Sequence, residues 1–199
     1  MKKLLLTLAL GILGVLLIAF GHHTKASPGI LSVSQVDAPF RYAYFNMATS
    51  EQQEFIAKYA PYGIRIAPMP TSLGIPDNMV PIQWAAYVHI SFPGLILINE
   101  NYVRFAGDNQ SLILNAMLHE ADHNRYFVLS GGTSYGKHID IYRDVLNLTA
   151  SSPDPSVNQM ALINLRLEEF RLRGCSVDIL LNSQPSYRAV CNGQQEVLF

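Results

Sequence analysis

A single helical run, predicted over residues 109–130, constrains this chain more than any other stretch, because it combines an apolar stripe with charge on the same turns. Leu112, Ile113, Ala116 and Met117 recur at helical spacing, Asp108 is the expected N-cap, and Gly131-Gly132 is the expected stop. Inside the run lies His119-Glu120-Ala121-Asp122-His123. Residues four apart stand one above the other on a helix, so His119 and His123 can share one cation with Glu120 beside it. Two imidazoles and a carboxylate in that pattern point to Zn²⁺ as cofactor. The ion brings the pKa of a water towards neutrality, and the carboxylate takes the proton as the water attacks a carbonyl. Asp122 can face solvent, pair with Arg125 three residues on, or orient a ligand from behind.

Just upstream, residues 94–99 (Gly-Leu-Ile-Leu-Ile-Asn) form a short apolar run rich in β-branched residues, the mark of a strand. With the strand preceding the His-Glu-x-x-His helix, residues 94–175 resemble the zincin metallopeptidases. That resemblance implies that the strand at residues 95–98 aligns an extended peptide by main-chain pairing. It also implies a third protein ligand, with a fourth position left for water. Metzincins place a His six residues after the second motif His. Leu129 stands there, which excludes them. Aspzincins use an Asp in a Gly-Thr-x-Asp-x-x-Tyr-Gly segment. Gly132-Thr133-Ser134-Tyr135-Gly136 keeps its ends but lacks the Asp, leaving Asp140 or His138 as substitutes.

A second helix is expected over residues 157–173, opened by Ser156 with Gln159 three on and stopped by Gly174. Its Glu169-Phe170-Arg171-Leu172-Arg173 resembles the Glu-x-x-Ala-Asp segment of gluzincins that process prenylated proteins or act as bacterial heat-shock membrane proteases. By that resemblance Glu169 is the third ligand, although Arg173 replaces the family's Asp. Glu168 points about 100° away round the helix, so only one of the two carboxylates faces a metal. Tyr135, His138 and Tyr142 follow the motif helix, the last two on a short helix predicted to run to residue 148. His138 is the candidate for stabilising a developing oxyanion.

The ends and the composition bound the rest. Lys2-Lys3 followed by an apolar stretch at residues 4–20, with Thr24-Lys25-Ala26 beyond, reads as an export signal over residues 1–26. Uncleaved, it would anchor the chain in the inner membrane, the only membrane association expected. The remainder, residues 27–199, is long enough for one domain in a bacterial periplasm or outside the cell. Three of the 14 basic residues and none of the 15 acidic ones fall in the signal, so the remainder carries a net charge of −4. With no basic run to neutralise phosphates, nucleic acid is not an expected partner. Cys175 and Cys191, the only cysteines, are expected to pair in an oxidising compartment.

Strands are further expected at residues 40–45, 63–67 and 83–91, a helix at Ser50–Tyr59 and a loop at residues 68–81, with His89 structural. Together these predict an α+β, zincin-like domain: a small mixed sheet packed on the motif helix, then a helical half carrying the third ligand. The expected function is an exported zinc metallopeptidase acting on a peptide or protein substrate. Its residues would be His119, His123 and Glu169 on the metal and Glu120 and His138 in catalysis. The competing expectation is a non-catalytic envelope binding protein whose motif helix is merely polar.

Overall fold

The computed structural model describes residues 29–67, 86–88, 92–180, 186–192 and 194–197. The expected signal, the loop at residues 68–81 and His89 lie outside the described residues. The chain is α+β, mostly helical with two small sheets. Five helices follow in order: α1 (Ser50–Tyr59), α2 (Glu100–Ala106), α3 (Gln110–Leu129), α4 (His138–Thr149) and α5 (Pro155–Leu172). Among these residues no helix is long and apolar enough to cross a membrane.

The first sheet is mixed, in the order β1 (Gly63–Ala67), β3 (Leu95–Asn99), β2 (Ala86–Val88). Strands β1 and β3 run parallel with Gly63 opposite Leu95, whereas β2 runs antiparallel with Ala86 opposite Ile98. This makes β3 an interior strand. Its main-chain groups are taken on both sides, so residues 95–98 cannot accept an extended peptide, and that part of the expectation is corrected. After α5 an antiparallel meander follows, β4 (Ser176–Leu180), β5 (Ser186–Cys191) and β6 (Gln194–Val197), which the sequence reading lacked. The expected disulfide joins Cys175 to Cys191 and ties this meander to the end of α5. Such a bond is compatible with an oxidising, exported compartment.

Residues 40–45 are helical rather than extended: a 3-10 turn (Ala38–Phe40) leads into a π-helical turn (Ala43–Met47). The apolar alternation of Phe40, Tyr42 and Tyr44 suggested a strand, but the buried set is Phe40, Ala43 and Tyr44, which is helical spacing, and Tyr42 faces solvent. The Tyr44 hydroxyl accepts from the Leu31 N–H at 2.9 Å and donates to the Gln53 carbonyl at 3.1 Å, so its burial leaves no polar group unsatisfied. Helix α1 begins one residue earlier than expected in its capping: Thr49 and Gln52 form the box, not Ser50 and Gln53. Gln52 also reaches the Leu148 carbonyl at 2.9 Å, joining α1 to the end of α4.

Helix α3 is central. Asn109, not Asp108, caps it, and Leu114, Met117, Leu118 and Ala121 form a fully buried stripe at i, i+3, i+4 and i+7. That stripe packs with Phe40, Tyr44, Ile56 of α1, Ile96 and Ile98 into one core. Polar residues are buried on the rest of the helix: His119, Glu120, Asp122 and Asn124, the last accepting a hydrogen bond from the Gly94 N–H at 3.2 Å. Burying such groups is costly without a partner for each, and His119 Nδ1 has none, which marks the turn of His119, Glu120 and His123 as the candidate site.

Candidate metal centre

Helix α3 supplies two histidines and α4 supplies a third. One nitrogen from each of His119, His123 and His138 lies within 4.8 Å of the other two, the one such group among the described residues. The His119 and His123 Nε2 atoms are 3.1 Å apart. Two imidazoles bound tetrahedrally at about 2.0–2.1 Å from one ion would stand ~3.3 Å apart, so this edge already has close to the length that a shared cation requires. The three ring centroids form a near-equilateral triangle with sides of 4.7, 5.0 and 5.3 Å. The Tyr142 ring, one turn along α4 from His138, covers His119 at 4.5 Å.

The loop between α3 and α4 sets the tautomer. The Tyr135 carbonyl accepts a hydrogen bond from His123 Nδ1 at 2.7 Å, so a neutral His123 presents the Nε2 lone pair towards the other rings. His119 Nε2 then either donates a proton across the gap or, without that proton, joins a shared ion. His119 Nδ1 is buried with no hydrogen-bond partner. Burial pushes all three imidazoles below the ordinary histidine range: His119 far below, helped by the neighbouring His123 and His138, and His123 down to about 4. At neutral pH the site thus offers neutral imidazoles, and no proton has to be displaced from the inward nitrogen of His123. Donors of this type fit a borderline-soft dication, and the residues present fit a metal.

Glu120 lies about 100° round α3 from His119 and about 60° from His123, between the ligand face and the core. It is buried, and loss of solvent raises its carboxyl from the usual range to about 8. A carboxyl so placed ionises when a dication nearby repays the charge, which is the behaviour a general base beside a metal needs.

Glu169 is elsewhere. It pairs with Arg166 at 2.7 Å on the outer face of α5 and takes no part in the three-nitrogen group. The helix step decides this, because Glu168, not Glu169, faces inward. Glu168 is buried, held in two hydrogen bonds of 2.7 and 2.8 Å from Arg171, and its charge acts on His138. Asp154 rather than Ser156 caps α5, with Pro155 at the first position. Asp140 is half-exposed and sits near Arg143. His138, expected to face an oxyanion or, alternatively, to substitute as third ligand, lies in one group with the motif histidines.

The glycines that the sequence places after α3 hold the loop's path. Gly136 has φ +78°, and a Cβ there would stand 2.7 Å from Tyr126 Cγ. Gly136→Ala should therefore displace the Tyr135 carbonyl from His123. We expect metal affinity to fall by roughly 10- to 100-fold, the usual cost of losing an outer-shell partner, as read by competition with a chromophoric chelator.

Comparison with family models, with curated proteins and with solved structures finds no match for this chain. Its site therefore stands on geometry and chemistry alone.

Proposed function

We propose that this chain is a zinc-dependent hydrolase of peptide bonds, zincin-like in its use of the helix His119–Glu120–His123, with His138 in place of a carboxylate as third ligand. The observation that carries the proposal is the convergence of three neutral imidazole nitrogens, with a buried carboxyl on the adjacent helix position. Zinc held there would act as a Lewis acid towards water and the scissile carbonyl. Glu120 takes the proton from the attacking water and passes it to the departing amine. Tyr142 covers His119 and keeps bulk water from that side of the site. Strand β2 lies at an edge of the first sheet, pairing with β3 alone among the described residues, and packs on α3, which makes it the candidate to align an extended peptide.

Three nitrogen donors and one open position favour zinc over calcium or magnesium, which take oxygen ligands. The test is metal analysis of the protein purified without added metal, combined with hydrolysis of an unstructured protein such as casein. We expect one zinc per chain, a fall in melting temperature with EDTA, and hydrolysis that EDTA abolishes and Zn²⁺ restores. Absence of zinc at stoichiometric level, with melting indifferent to EDTA, rejects the proposal.

A further inference from the structure

The metal group spans two helices, so its geometry depends on how α4 is fixed against α3. His138 is the first residue of α4 and makes no capping contact through Lys137 before it. Its position is therefore determined further along. A polar connection between the two helices starts inside the motif. Asp122 is fully buried and accepts from the Arg125 Nε. The same guanidinium donates through its terminal nitrogen to Asp144 of α4. The Tyr126 hydroxyl donates to the same Asp144 oxygen at 3.1 Å, and the Arg125 guanidinium lies 4.7 Å from the Tyr126 ring. That ring is the one on which Gly136 rests, so Tyr126 holds the connecting loop and α4 together.

We propose that Asp144 is a positioning residue for the metal centre: gripped by Arg125 and Tyr126 of α3, it sets the axial and rotational setting of α4 and thereby brings His138 to His119 and His123. This inference rests on the metal reading of the three histidines. Asp144 lies six residues from His138, about 9 Å along the helix axis and roughly 120° away round it. A grip there fixes the helix without touching the ligands. The buried Asp122 carboxylate takes the Arg125 Nε–H, and the terminal nitrogen beside it is left for Asp144 of α4. Asp122 Oδ2 has no partner, so Arg125 is its one hydrogen-bonded cation, and truncating Arg125 would strand a buried charge. Asp144, more than a third exposed, is the site to substitute because its loss leaves the Asp122–Arg125 pair whole.

The experiment compares wild type, Asp144→Ala, Asp144→Glu and the remote control Asp37→Ala, which breaks the Arg65 pair at the far sheet. Zinc affinity is read by chelator competition, coordination by the visible absorption of the Co²⁺-substituted protein, and folding by the metal-free melting curve. Asp144→Ala is expected to bind zinc about 10- to 100-fold more weakly and to lose tetrahedral Co²⁺ intensity, with Asp144→Glu recovering part of both. Asp37→Ala is expected to lower melting with wild-type zinc affinity, which separates positioning from general loss of stability. Equal zinc affinity and Co²⁺ spectrum in wild type and Asp144→Ala overturns the grip alone. A wild-type protein that binds no zinc overturns the grip together with the metal reading beneath it.

Discussion

His138→Ala should abolish tight zinc binding, whereas Glu169→Ala should leave it as it is. The two variants separate the ligand that the structure groups with the motif from the one that sequence resemblance named. Removing His138 takes away one of three donors, and the loss should exceed the roughly 10- to 100-fold that an outer-shell defect costs. The remaining pair, His119 and His123 with Nε2 atoms 3.1 Å apart, can still hold an ion loosely, so residual binding in the micromolar range or weaker is the expected form of failure. Glu169 is bonded to Arg166 on an outer helix face, and a pair of that kind contributes about 0–1 kcal/mol. Its removal should therefore alter neither zinc affinity nor, by more than a few degrees, the melting temperature. Isothermal titration of both metal-free variants with Zn²⁺ decides the matter. Loss of binding in Glu169→Ala with retention in His138→Ala would return the ligand set to the resemblance-based one.

Why one helix was legible and its third ligand was not follows from the range of the forces involved. The motif helix announces itself locally: Leu112, Ile113, Ala116 and Met117 sit at helical spacing, and Gly131 and Gly132 both adopt the positive φ that ends it. The run at Leu95–Asn99 is equally local, and its strand was foreseen, but its interior place in the sheet depends on partners far along the chain. Phe40 to Tyr44 shows the opposite case. An apolar residue at every second position satisfied a strand pattern, and only the packing of Tyr44 against Leu31 and Gln53 selected the helical path. The C-terminal meander, with its strand Ser186–Cys191, is joined by pairings that no expected element covered. Which face of α5 turns inward is a tertiary result, set by the packing of α5 on α3 and α4. Glu168 and Glu169 are adjacent and chemically identical, so nothing local distinguishes them. His138 is legible as a residue of the site, in an oxyanion role or as an alternative third ligand, and what the sequence lacks is the packing of α4 on α3 that brings it to His119 and His123. Asp144, with no motif around it, had no signal of its own.

Glu120→Gln should leave zinc bound and reduce hydrolysis by about 10²- to 10⁴-fold, the range that a positioned general base supplies. The amide keeps the size and one acceptor of the carboxyl but cannot take a proton from water, so kcat falls while KM for a protein substrate stays near its wild-type value. A second readout needs no substrate. In the metal-free protein burial holds the Glu120 carboxyl up to about 8, against a usual value near 4.5. The folded state therefore binds a proton that the unfolded state gives up, and stability falls as pH rises from the unfolded value through the folded one. Across that window, and fully above pH 8, the cost is on the order of a few kcal/mol. Glutamine does not titrate. The His119, His123 and His138 contributions run the other way, since imidazoles with lowered values lose folded stability as pH falls below the ordinary histidine range, and they are common to both proteins. Subtracting one melting profile from the other isolates Glu120: metal-free Glu120→Gln should gain on wild type steadily between about pH 5 and 8. Zinc should erase the gain, because a dication beside the carboxyl favours its ionised form and repays the burial. A pH-independent difference between the two metal-free proteins, or full hydrolytic activity in the variant, would remove Glu120 from the role of base.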